Sequence, residues 1–184
     1  MSPPRIRAAT EADASSIAKL HVEAWQWAYR GQLPDTFLDQ LTATIPQREA
    51  RRRRTLAQPT SDARTWVAEL DGALVGFADS NPARDSDLPP ETAELSTLYL
   101  KPEVVGSGVG RALMQQALAD LRQRGFRSAV LWVLDSNARA RRFYEVGGWR
   151  RDGGVKVEHQ SDVTLREVRY RIDLAAGDES GQQA

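Results

Sequence analysis

Apolar residues recur along the chain at two spacings, and the changes between them mark out the elements. Ile17, Leu20, Ala24 and Ala28 fall three or four residues apart, the stripe of an amphipathic helix, with His21 and Trp25 beside it. Thr10-Glu11-Ala12-Asp13 has the S/T-x-x-D/E form of a capping box at its start, and Gly31 is a stop. Residues 5–9 ahead of it suit a short strand. Pro34-Asp35 restarts the chain, and Phe37, Leu38, Leu41 and Ile45 predict a second helix that Pro46 interrupts or kinks. Residues 65–70 and 73–79 read as strands joined by Asp71-Gly72, a two-residue turn of the kind that needs positive φ. Residues 80–92, rich in Pro, Asp and Ser, form a loop, and 93–100 a further strand closed by Lys101-Pro102. Val109, Leu113, Ala117 and Leu121 place a helix over 106–124, with Gly125 as its C′ residue. The apolar run 128–134 has strand length and is expected to be buried on both faces. Residues 137–147 predict a short helix closed by Gly147-Gly148, followed by antiparallel strands near 149–158 and 163–174.

The order is β-α-α-β-β-β-α-β-α-β-β. It predicts an α/β (α+β) fold with a mixed, mostly antiparallel sheet of about seven strands and about four helices. A β-α-β crossover sits between residues 93 and 134, and the remaining strands join through hairpins, so a pure doubly wound sheet is excluded. With no internal repeat and no linker, residues 1–174 read as one domain and the polar residues 175–184 as a frayed tail.

Composition narrows the chemistry. Lys plus Arg and Asp plus Glu are 25 each, a balance that counts against a nucleic-acid partner. There is no cysteine, which removes a disulfide scaffold, a thiol nucleophile and a thiolate metal site. His21 and His159 are the only histidines and lie far apart, and no metal is expected. No apolar run approaches membrane-spanning length and Met-Ser-Pro-Pro-Arg does not open a secretory signal, so a cytoplasmic protein is expected.

The most informative stretch is Val105-Gly106-Ser107-Gly108-Val109-Gly110-Arg111, between a strand and a helix. Such a turn aims backbone N–H groups at one point at the positive end of a helix, which suits a pyrophosphate, and Arg111 adds charge. The same loop also suits a tight connection with no ligand. A P-loop lacks its Lys-Ser or Lys-Thr here, and a nucleophile elbow lacks its GxSxG. A dinucleotide loop needs GxGxxG rather than G-x-G-x-G, although Asp135 stands 24 residues beyond Arg111.

A third ligand-bearing form fits better. Glu94-Leu95-Ser96-Thr97-Leu98-Tyr99-Leu100-Lys101-Pro102, the glycine loop and Arg111-Ala112-Leu113-Met114 together resemble the core motif of the GNAT superfamily of acyl-CoA N-acyltransferases. The family's (Q/R)-x-x-G-x-(G/A) pattern maps onto Val105 to Gly110, with Val105 in place of Gln or Arg. Asn137 and Tyr144 resemble the family's Asn-x₆-Tyr helix, and Gly147-Gly148-Trp149 the turn after it. Ala24-Trp25 and residues 29–34 resemble the first-helix region of small bacterial members, so the likeness covers residues 5–173.

The resemblance implies transfer of an acetyl group from acetyl-CoA directly to a primary amine in a ternary complex, with a small molecule as acceptor. It implies that the pantetheine arm pairs with the backbone of Leu98, Tyr99 and Leu100 as an added strand, and that Val105, Gly106, Ser107, Gly108, Val109, Gly110 and Arg111 hold the pyrophosphate. Asn137 would meet the pantetheine amides or cap its helix, and Tyr144 on the same face would protonate the leaving thiolate. Glu94 is the expected base, with Glu23, Asp79 and His159 as outside candidates. Some members carry a Glu where Trp132 stands, which argues against an acetylase of ribosomal-protein N-termini. Trp25 and Tyr29 are expected to wall the acceptor pocket. Trp27 cannot share one helix face with both. Arg51 to Arg54 spread around a helix, as a solvated end or toward an anion. A homodimer is expected from the family. The rival classes are a non-catalytic acyl-CoA sensor, suggested by Val105, and a nucleic-acid partner for the arginines.

Overall fold

The computed structural model describes residues 3–58, 62–160 and 163–174, so the segment 175–184 expected to fray lies outside the described residues. One sheet of seven strands runs through the molecule: β1 (Arg5–Ala8), β2 (Arg64–Leu70), β3 (Ala73–Pro82), β4 (Thr92–Leu100), β5 (Ser128–Leu134), β6 (Arg150–Gln160) and β7 (Val163–Asp173). They lie in the order β1-β2-β3-β4-β5-β7-β6, with β4–β5 the one parallel pair. The β2–β3 hairpin turns at Asp71 and Gly72, with φ of 49° and 80°, the double positive φ that matches the twist of the flanking strands.

Successive strand residues point to opposite faces, which divides the helices into two layers. Val67 and Phe77 pack with Ile17, Leu20 and Ala24 of α1 (Ala14–Tyr29) on one face. Ala68 and Ala78 pack with Leu113, Ala117 and Leu121 of α4 (Val109–Gln123) on the other, in a core that continues to Trp149 and Tyr170. The capping box holds: the Thr10 amide donates to Asp13 Oδ2 at 2.7 Å, and Arg7 clamps the same carboxylate with two bonds of 2.8 Å.

Three boundaries differ from the sequence reading, the first being that residues 80–82, read as loop, continue β3 and pair with β4. The second helix is built in pieces: α2 (Asp35–Gln40), a 3₁₀ turn (Leu41–Thr44) and α3 (Ile45–Ala57). Pro46 sits in the first turn of α3, where its missing N–H costs nothing, so it opens a helix instead of kinking one. The helix placed at 106–124 begins only at Val109, after a 3₁₀ turn (Pro102–Val104). The expected short helix is α5 (Ala138–Val146). Among the described residues no helix is long and apolar enough to cross a membrane.

Candidate active site

The sheet parts in its middle. β4 and β5 pair only through Thr92↔Ser128, Ala93↔Ala129 and Glu94↔Val130. Beyond Glu94, β4 continues on β3 and β5 continues on β7, so each presents one unpaired edge to the gap. A bulge helps to part them. Asp79 faces Thr97 while Ser80 faces Leu95, leaving Ser96 as an extra residue that bends β4 at the fork. The resulting cleft, of about 380 Å³, takes Leu98, Tyr99 and Leu100 from β4, Trp132 to Leu134 from β5, and Asn137, Ala140 and Tyr144 from the chain after it.

At one end of the cleft the glycine loop meets α4. Gly106 and Gly108 have φ of 86° and 95°, a region closed to most side chains. Gly110 serves another purpose: a Cβ there would meet Leu100 Cδ1 at 3.2 Å, so its bare backbone lets α4 approach β4. Gly108 is the N-cap, and Val109, Gly110 and Arg111 are the first residues of the helix, whose N–H groups have no intrahelical partner. Two amides of the motif point elsewhere. Val105 N–H donates to Pro102 O and Ser107 N–H to Val104 O, both at 3.2 Å, so these residues shape the loop and offer no free amide. The Val105 side chain, 38% exposed, lines the cleft mouth.

The side chains around the fork form a graded environment. Tyr144, set on α5, is edge-on to Phe143 and Trp149, with ring centroids 5.3 and 6.0 Å away. Burial pushes its phenol well above the usual tyrosine range, and no described residue hydrogen-bonds its hydroxyl. Asn137 accepts from Ala140 N–H at 3.0 Å and so caps α5, while also lining the cleft. Glu94 stands where the β4–β5 ladder ends, and burial raises its carboxyl above the ordinary range.

On the opposite wall Trp25 donates to Tyr99 Oη at 2.7 Å and meets Tyr29 edge-on at 4.9 Å. Trp27 also reaches the cleft, contrary to the helical-face argument. It lies at the end of α1, 40% exposed, and Arg139 crosses the mouth to stack on it at 3.8 Å.

The outside candidates do not converge here. Glu23 is exposed away from the cleft, His159 is exposed beside Thr164, and both Asp79 oxygens are bonded by Arg52. Besides Arg139 and Glu158, three polar cleft residues escaped sequence reasoning. His21 stacks on Tyr99 at 4.8 Å, and burial lowers its imidazole to about 4. Lys156 lies over Trp132 at 4.7 Å and pairs with the third of them, Glu167, at 3.0 Å. Strand alternation alone puts these last two on one face only once the β6–β7 register is known. Among the described residues no group of three or more His, Asp or Glu side chains is placed to hold a metal.

A forked mixed sheet with a glycine loop and exposed helix amides at the fork is the architecture of a class of acyl-transferring proteins, and comparison agrees. The model of the "Acetyltransferase (GNAT) family" matches residues 17–148. A relative from Bacillus subtilis, named "Uncharacterized N-acetyltransferase YuaI", is 32% identical over 133 residues, 72% of each chain. A probable N-acetyltransferase of Mycobacterium tuberculosis is 26% identical over 174 residues, 94% of this chain and 95% of the relative. Among solved structures, yncA of Salmonella typhimurium, with its cofactor acetyl-CoA, superposes with TM-score 0.70 at 20% identity, over 100% of this chain and 99% of that one. PaiA N-acetyltransferase of Thermoplasma acidophilum with coenzyme A gives 0.69 at 22% identity, over 91% and 98%. The chain belongs to the GNAT acetyltransferase family.

Proposed function

We propose that the protein moves an acetyl group from acetyl-CoA to a primary amine of a small molecule, with both substrates bound together in the cleft. The observation that carries this is the fork itself. The unpaired edges of Leu98 to Leu100 on β4 and of 131–134 on β5 flank the cleft, whose lining reaches Val105 at the start of the glycine loop that leads into the N-terminus of α4. An amide-bearing arm satisfies the strand edges as an added strand would, and a pyrophosphate satisfies the helix amides. Arg139 lines the cleft and, with Arg111, the hollow between α4 and α5, from which both can add charge.

The chemistry follows from two perturbed groups. The amine nitrogen attacks the thioester carbonyl carbon, the C–S bond breaks, and coenzyme A leaves as thiolate. Glu94, raised by burial, is a stronger base than an exposed carboxylate and takes the proton lost by the amine, directly or through water. Tyr144, held protonated by its buried setting, gives a proton to the thiolate. Trp25, Tyr29 and Tyr99 wall the acceptor side, where aromatic faces favour an ammonium group.

Thermal unfolding with acetyl-CoA, against NADH as control, tests the reading. At a hundred times Kd the native state gains about 2.7 kcal/mol, which for a chain of this size raises Tm by about 5–10 °C. A shift with acetyl-CoA and none with NADH supports it. No shift with acetyl-CoA, together with no thiol release across a broad amine panel, overturns it.

A further inference from the structure

Behind Glu94 the cleft opens into a second cavity of about 500 Å³, walled by α1, α3 and the β3–β4 ribbon. His21, Glu94, Ser96 and Thr97 line both spaces, so the two meet at the fork. Five arginines reach this cavity: Arg48, Arg51 and Arg52 from α3, Arg64 from β2 and Arg84 just past β3. Among the described residues, Asp79 and Glu94 are the carboxylates that line the cavity with them.

Asp79 is already satisfied. Arg52 binds it with two bonds of 2.7 and 3.0 Å, and the hydroxyls of Thr65 and Thr97 donate to it as well. Arg48, Arg51 and Arg84 make no ion pair with any described carboxylate. Arg48 is half-buried in the wall, donating to Thr44 Oγ1 at 2.8 Å and lying 3.4 Å from His21 Nδ1. Burial disfavours its charged form, and neighbouring Arg51 adds to that. Arg48 is the half-buried member and Arg51 and Arg84 are exposed at the rim, so the three present guanidinium groups without an ion-pair partner among the described residues to an anion that enters the cavity. Coenzyme A does not need these side chains, because Arg111, Arg139 and Arg142 line a separate hollow between α4 and α5.

We propose that the acceptor is an anionic amine, whose carboxylate or phosphoryl-type group is held in this cavity by Arg48, Arg51 and Arg84 while its amino group lies at Glu94. The fate of the amine rests on the acetyl-transfer reading above; the binding of the anion does not.

The test is calorimetric titration of the full chain, filled with coenzyme A, with three amines that share a short skeleton: β-alanine, aminoethylphosphonate and ethanolamine. Each is also offered on a longer alkyl spacer, and each is assayed for thiol release from acetyl-CoA. The expected result is that one of the anionic arms binds at least ~10-fold tighter than the neutral arm, and the arm that wins identifies the anion. The double variant Arg51→Gln, Arg84→Gln, changed at two exposed positions, loses that preference by ~10-fold or more, while its unliganded unfolding midpoint stays in place. Equal binding by ethanolamine, no binding by any anionic arm, or an unchanged preference in the double variant overturns the proposal. Absence of both thiol release and any acetyl-CoA shift sinks the transfer reading instead, and the calorimetry still decides the cavity.

Discussion

Tyr144 and Glu94 are perturbed in the same direction by the same cause, burial, with opposite chemical consequences. A phenol pushed up stays a donor throughout the neutral range; a carboxyl pushed up becomes a better base but ionises later. Tyr144→Phe removes the donor and keeps the ring, so kcat is expected to fall by about 10²-fold with little change in KM for acetyl-CoA. In the proposed role of base Glu94 must be ionised, so kcat/KM is expected to rise with pH through a limb above the ordinary carboxylate range. Glu94→Gln removes that limb, and a pH–rate profile of the two proteins reads it. His21 gives a stability signature instead. Its folded pKa is about 4 against 6.5 when free, so between those values the unfolded chain binds a proton that the folded chain refuses. Stability contributed by the neutral ring is present above 6.5 and lost as pH falls to about 4, by about 3 kcal/mol in all. His21→Phe keeps the stack on Tyr99. Urea denaturation from pH 7 to 4 is therefore expected to show a smaller loss in the variant than in the parent.

At the scale of elements, the glycine loop fixes the start of α4, and the proposed pyrophosphate contact draws on the same residues. Gly108 holds φ of 95° at the N-cap of α4, where an L side chain collides with its own backbone. Gly108→Ala is expected to cost about 1–2 kcal/mol of stability and to weaken acetyl-CoA binding by more than that strain alone, since relief of φ turns the helix amides away. Calorimetry with acetyl-CoA beside urea denaturation separates the two losses. This loop, the Asp71-Gly72 turn, the α1 stripe and the α4 stripe were legible because each is set by residues adjacent in sequence. Pro46 was misread for the complementary reason: whether a proline breaks a helix or opens one depends on where the preceding turn ends, and Leu41–Thr44 end theirs in 3₁₀ form. Asn137 and Tyr144 were legible as a pair because two helical turns separate them. Lys156, Glu167 and Arg84 were not, because only the pairing of β6 with β7 and the path of residues 83–91 bring them to the fork.

The whole molecule must keep a forked sheet from closing or coming apart, and the three-residue β4–β5 ladder is a short seam for that task. A second tie lies at Arg169 of β7, whose side chain is only 7% exposed. Its guanidinium binds Asp87 with bonds of 2.9 and 2.6 Å and Asp152 of β6 with bonds of 3.1 and 2.8 Å, and reaches Asp85 at 3.4 Å. Asp85 in turn accepts from Trp132 Nε1 at 3.1 Å. One side chain thus pins the segment between β3 and β4 onto the far half of the sheet. The backbone makes room for it: a Cβ at Gly154 would lie 2.7 Å from Arg169 Nε. Nothing in the sequence singles out this arginine among the chain's many, since its partners come from residues 85, 87 and 152. Removing it leaves carboxylates facing one another without their cation, and such losses are costlier than the pair itself is worth. Arg169→Met is therefore expected to lower unfolding stability, chiefly through Asp152, the least exposed of its partners. Arg169→Lys is expected to recover only part of that, because a single ammonium cannot reproduce a planar fork serving Asp87 and Asp152 at once. The decisive comparison is the acetyl-CoA affinity of the two variants. If the tie holds the fork at its working width, affinity falls in Arg169→Met more than in Arg169→Lys although neither lines the cleft; equal affinity in parent and both variants would mean that the β4–β5 seam and the core beneath it set the opening alone.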